Sequence, residues 1–163
     1  MRNLIAVTVA ALVIQLGMPY SHACGDKTMR VKTGLRFYQT QAAKHPSKIL
    51  IYSAALPAGK ANELREYLNK LGHKAAARDD VGSIKNDLRT SHYDLVLTNL
   101  AEAPELQKQV ESSTPGTVVV PVLFKAEEKT AAKQYKVIVN KPRDGEDFLA
   151  AVWQVMKSQS KKS

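Results

Sequence analysis

The sequence predicts an α/β fold in which a parallel sheet is covered by helices on both faces. Three observations carry that expectation. Short, nearly continuous apolar runs at Ile49-Leu50-Ile51-Tyr52, Tyr93–Thr98 and Thr117–Phe124 suit strands buried on both sides. Between them lie segments with apolar residues at helical spacing, as at Leu64, Leu68 and Leu71. Strand and helix then alternate five times from residue 48 onward with short links, the pattern of parallel strands joined by crossovers rather than of hairpins. With 44% apolar residues and only 6% aromatic, the core should be mostly aliphatic.

Before the alternation begins, Gly34 to Lys44 carries Leu35, Tyr38 and Ala42 at near-helical spacing, and His45-Pro46 ends the short helix this predicts. Ile49–Tyr52 is the first strand, and Pro57 and Gly59 form its loop. The Leu64, Leu68, Leu71 stripe predicts an amphipathic helix stopped by Gly72. Ala75-Ala76-Ala77 is a weak second strand. Asp79-Asp80 follows as a turn whose acids cap the next helix, marked by Val81, Ile84 and Leu88. Tyr93–Thr98 is the third strand, and Pro104–Glu111 the helix after it, with Leu106 and Val110 on one face. Pro115-Gly116 is a turn, Thr117–Phe124 the fourth strand, and Ala126–Gln134 a stretch of helix formers. Lys136–Val139 is the fifth strand. Phe148, Val152, Val155 and Met156 mark a closing helix, and a polar, basic tail follows.

The first residues have a different character. Arg2 precedes an apolar run from Leu4 to Leu16, followed by Gly17, Pro19 and the small residues of Ser21-His22-Ala23. That three-part pattern predicts a signal peptide over 1–23, and its apolar run is shorter than the roughly 20 residues a spanning helix needs. Export follows, with a periplasmic or envelope-associated location. Cleavage after Ala23 leaves 23 basic and 15 acidic residues, net +8, and places Cys24, the sole cysteine, at the mature N-terminus. Three fates are open to it: lipidation, intermolecular pairing or a free thiol. Ser21-His22 makes a poor lipobox, and membrane attachment is expected only if Cys24 is lipidated. The segment 24–47 sets Lys27, Arg30, Lys32, Arg36 and Lys44 against one acid, Asp26. Such a balance suits an acidic protein partner or an anionic surface. Export argues against nucleic acid.

Five strands in this order leave few topologies, and a flavodoxin-like (βα)5 doubly wound sheet, order 2-1-3-4-5, is the expected one. KILIYSA, YDLVLTN and KVIVNKPRDGEDFLAAVWQVMK resemble the first strand, the third strand and the fifth strand with last helix of a response-regulator receiver domain. The resemblance covers residues 48–157 in register, within a receiver-like domain over 48–158 followed by 159–163 as a basic tail, and its strongest piece is Lys141-Pro142 after a Val-Ile-Val strand. It implies a site at the strand ends: an acid pair after strand one, a phosphoacceptor Asp after strand three, a hydroxyl after strand four and a Lys after strand five, the acids holding Mg²⁺. Here the acid-pair positions hold Ser53 and Ala54, and the acceptor position holds Asn99. The hydroxyl position falls among Val120–Val122, and only Lys141 is retained. A degenerate pocket with no carboxylate implies no phosphotransfer, no metal, no cofactor and no catalytic residue. The expected role is therefore a non-catalytic interaction or regulatory module, a pseudo-receiver, whose partner is another envelope protein. The alternative is a small-anion or solute binder in the strand-end crevice around Lys141. By the same resemblance, the face made by the fourth helix, fifth strand and fifth helix carries partner contacts and includes Lys129, Lys133, Tyr135, Lys136 and Trp153; Trp153, off the Phe148–Val152–Val155 stripe, reads either as an interface aromatic or as packed against a neighbouring helix. His45, His73 and His92 stand alone at loop positions and read as surface residues. No G-x-S-x-G, H-E-x-x-H, P-loop or C-x-x-C motif is present.

Overall fold

A computed structural model describes residues 35–125 and 132–160, all within the compact unit Lys32–Ser163. The expected signal peptide over 1–23, Cys24, the leader up to residue 34, Lys129 and the last three residues lie outside the described residues.

Five parallel strands form one sheet: β1 (Lys48–Tyr52), β2 (Lys74–Arg78), β3 (Leu95–Asn99), β4 (Val118–Leu123) and β5 (Val139–Asn140), in spatial order 2-1-3-4-5. Among the described residues, the α-helices are α1 (Leu35–Lys44), α2 (Lys60–Lys70), α3 (Val81–Thr90), α4 (Ala103–Ser113) and α5 (Gly145–Ser160). This is the flavodoxin-like order expected from the alternation. Of the helix-forming stretch Ala126–Gln134, residues 126–131 lie outside the described residues, and Ala132–Gln134 is a 3-10 turn. One expected element differs. The fifth strand begins at Val139 rather than Lys136. An apolar run shows that a segment is buried, but not where its ladder starts. Pro121 bears on that point: it has no N–H to give, and the β4–β5 ladder starts only beyond it, at Val122 opposite Val139.

Side-chain alternation along the strands builds two cores. Ile49, Ile51, Leu95, Leu97, Val120 and Val122 face α2 and α5, meeting Leu64, Leu68, Phe148, Leu149, Val152 and Val155. Leu50, Val96 and Val119 face α3 and α4, meeting Ile84, Leu88, Leu106 and Val110. Burial on both faces is why these strands read as continuous apolar runs.

Helix ends follow local chemistry. The Asp80 carboxylate accepts from the Ser83 N–H at 2.7 Å and the Ser83 hydroxyl at 2.6 Å, capping α3 and holding its own carboxyl below the usual range. At the end of α2, Gly72 takes φ +99°, its N–H donates to the Asn69 carbonyl and the His73 N–H donates to the Leu68 carbonyl. At the edge strand, Asn69 accepts from the Ala75 N–H at 2.7 Å and donates to the Ala75 carbonyl at 3.2 Å. The last helix runs on to Ser160, and Gln159 is tied down: its side-chain amide donates to the Gly116 carbonyl at 2.9 Å and the Asp94 carbonyl at 3.3 Å.

Candidate functional site

Parallel strands bring their C-terminal ends to one edge of the sheet, where open α/β folds hold ligands. Ile51 pairs with Leu97, so Ser53 and Asn99, each two residues further on, reach that edge at the same level. Asn99 pairs with Val122 on its other side, and Val122 pairs with Val139. Lys141 follows β5, with its N–H donating to the Leu123 carbonyl at 2.7 Å. Ser53, Ala54, Asn99 and Lys141 thus share one rim, with Val122 where a hydroxyl would stand.

Each of these residues has a definite local role. Ser53 opens the 3-10 turn Ser53–Ala55, and its carbonyl accepts from the Leu56 N–H at 3.1 Å. Ala54 contributes only a methyl. The Asn99 Oδ1 accepts from the Glu102 N–H at 2.9 Å, tying the end of β3 to the start of α4. Lys141 is exposed and takes φ +48°, a left-handed backbone that costs a non-glycine residue on the order of 1–2 kcal/mol. Its ammonium forms no ion pair among the described residues. Nor, among the described residues, do three or more His, Cys, Asp or Glu side chains converge as a metal site would require.

Next to this rim lies a cleft of about 380 Å³ between the β1–α2 and β5–α5 loops. Leu56, Leu64, Phe124, Pro142 and Phe148 make it mainly apolar, and the Lys60–Glu63 ion pair at 2.6 Å stands at its mouth. Lys141, Ser53 and Asn99 do not line it, so the cleft does not favour an anion site built on Lys141. Tyr67 forms one wall. Burial, then the Glu146 and Asp144 carboxylates, push its phenol above the ordinary value. A Cβ on Gly145 would lie 2.4 Å from the Tyr67 ring, so the first residue of α5 must be glycine for the ring to lie there. Gly145→Ala should cost about 1–3 kcal/mol in urea unfolding, and much less in a Tyr67→Ala background.

The residues expected on the partner face fall into two groups. Lys133 and Lys136 are exposed, and Tyr135 is half-buried against the α3/α4 core, its phenol pushed up by burial against the smaller opposing effect of a hydrogen bond with Gln134. A groove of about 480 Å³ runs past Lys136, and across it stand Gln154 and Ser158 of α5. Trp153 is not on that side. Its ring meets Phe37 of α1 edge-on at 5.1 Å and 87°. Its place off the main apolar stripe of α5 reflects a second contact, with α1.

His73 also departs from the sequence reading. It is buried, 6% exposed, and its Nδ1 accepts from the Ser47 N–H at 3.2 Å. The partner lies 26 residues away, and no local pattern points to it.

No protein-family model matches the chain, and no curated protein matches it. Solved structures do. The signal receiver domain of an HD domain-containing protein from Pseudomonas fluorescens Pf-5 superposes with a TM-score of 0.57 at 18% identity, over 71% of this chain and 98% of that one. The CheY-like response regulator receiver domain from Methylobacillus flagellatus gives 0.51 at 21% identity, over 70% and 98%. Vibrio cholerae chemotaxis protein CheY4 gives 0.51 at 14% identity, over 68% and 98%. With five parallel strands in the order 2-1-3-4-5, the chain has the CheY-like receiver fold.

Proposed function

We propose that this chain is an exported pseudo-receiver that acts in the cell envelope by contact with another protein and not by phosphoryl transfer. The observation that carries the reading is Asn99. At the strand end where receivers present an accepting carboxylate, this chain presents a carboxamide whose oxygen already holds the Glu102 N–H. An amide carries no charge and is a poor nucleophile. Ser53 and Ala54 add no anionic oxygen for Mg²⁺, and Val122 adds no hydroxyl.

Similarity to receiver domains supports a regulatory role. The surface best suited to a partner is the groove flanked by Lys136 and by Gln154 and Ser158, with Lys133 close in sequence and exposed. Lys136 on its rim, with the exposed Lys133 nearby in the chain, suits an acidic partner. Export rests on the pattern of residues 1–23, with Cys24 becoming the mature terminus.

Incubation of the full chain with acetyl phosphate and Mg²⁺ should leave it unlabelled. A phosphoryl group covalently attached at the strand-end rim, as a phosphate ester on Ser53 or a phosphoramidate on Lys141, would overturn the proposal. Mass spectrometry of the protein recovered from cells should find Cys24 first, and an intact Met1 would remove the export part of the reading.

A further inference from the structure

Ten residues of helix are marginal alone in water, so α1 exists through what it packs against. Ala42 is 1% exposed, and the nearest atom to a Cβ placed on Gly72 would be the Ala42 carbonyl, 3.8 Å away. Tyr38 packs on the α2/α5 core, and Phe37 meets the Trp153 ring while staying 37% exposed. At its C-terminal end α1 passes through His45-Pro46 to Ser47, which is buried and donates its N–H to His73. The turn Leu71-Gly72-His73 therefore runs beside Ala42 of α1 and holds the junction of α1 with β1 through His73.

The His73 contact requires an unprotonated Nδ1. A proton there would turn the acceptor into a donor facing another donor, and would place a charge in a buried site. We propose that His73 is an acid-sensitive latch on α1: protonation breaks the Ser47 junction and releases α1 from α5, uncovering the face that carries Trp153 and Met156.

Several charged groups surround the latch. Asp94 accepts from the Lys48 N–H at 2.6 Å and stands 3.8 Å from the His92 imidazole. The Lys74 N–H donates to the Ser47 carbonyl, and Lys70 ends α2 just before the turn. Lys44 from α1, His45 just after it, Asp94, and Lys157 from α5 line the groove between those helices. Burial holds the His73 imidazole below its ordinary 6.5, against the smaller opposing pull of the Asp94 carboxylate. The latched state thus binds fewer protons than the released or unfolded chain. Its advantage is complete above pH 6.5 and is lost as pH falls from there toward the depressed value.

Trp153 is the only tryptophan, so its emission reports whether Phe37 is in place. In the full chain, acidification from about pH 7.5 to about pH 5 should move Trp153 emission to longer wavelength while far-UV circular dichroism keeps most of its signal. His73→Asn offers Ser47 an oxygen acceptor that does not titrate, and should hold the emission constant over that range. His45→Asn and His92→Asn should leave the transition in place. Phe37→Ala, a change at a partly exposed position, should show the shifted emission already at neutral pH. A flat wild-type profile, a shift retained in His73→Asn, or a shift that coincides with loss of the whole circular dichroism signal would each overturn the latch. The inference does not depend on the strand-end reading.

Discussion

Aspartate introduced together at positions 53, 54 and 99 should give the domain a Mg²⁺ site. Ser53 and Asn99 stand at the same level of the sheet edge, and Ala54 is next to Ser53. Three carboxylates there would repel one another: two unit charges about 4 Å apart at an effective dielectric of about 20 interact by about 4 kcal/mol. The metal-free Ser53→Asp/Ala54→Asp/Asn99→Asp variant should therefore melt below the native chain and recover on addition of Mg²⁺, whereas the native chain should not respond. With Lys141 retained, acetyl phosphate should then label the triple variant. Asn99→Asp alone should stay unlabelled, because it supplies a nucleophile without a metal site; its carboxylate can still accept from Glu102, so it should fold. A triple variant indifferent to Mg²⁺ would mean that these positions do not form a receiver pocket.

Leu97→Ala should remove about 2–5 kcal/mol of stability, a large share of the roughly 5–15 kcal/mol expected for a domain of this kind. Leu97 is fully buried on β3, the middle strand of the sheet, where β1 and β4 flank it and the α2/α5 core closes over it. Truncation there leaves a void that no single neighbour can fill. Leu97→Met conserves volume and should cost less than about 1.5 kcal/mol. Chemical unfolding monitored by circular dichroism reads both values; equal losses would mean that the site collapses freely and that packing on β3 is looser than its burial indicates.

Most of the fold was legible because its strands are buried on both faces. Ile49–Ile51 and Leu95–Leu97 leave no exposed position to break the apolar run, and Gly72, Asp80 and Gly116 mark stops and caps through backbone chemistry that is purely local. The strand-end rim was legible for a related reason: parallel register carries residues at the ends of the strands to one edge, so Ser53, Asn99 and Lys141 could be placed together by counting. The unread parts depend on contacts distant in sequence. The start of β5 at Val139 depends on its ladder with β4. Trp153 read either as an interface aromatic or as packed on a neighbouring helix, and which of the two holds depends on where α1 lies. His73 has no companion nearby in the chain, and its burial follows from the meeting of β1, β2 and the end of α2.

An outer strand with free backbone groups is a template for accretion of further chains. On β2, the Asn69 carboxamide takes both the N–H and the carbonyl of Ala75, as an incoming strand would. Lys74 and Arg78 place like charges at the two ends of the same strand, and β5, on the opposite margin, offers only two residues to pair. A basic protein concentrated in a confined space would thus resist fibril growth at both margins, and Asn69→Ala should open the first of them to thioflavin-positive aggregates.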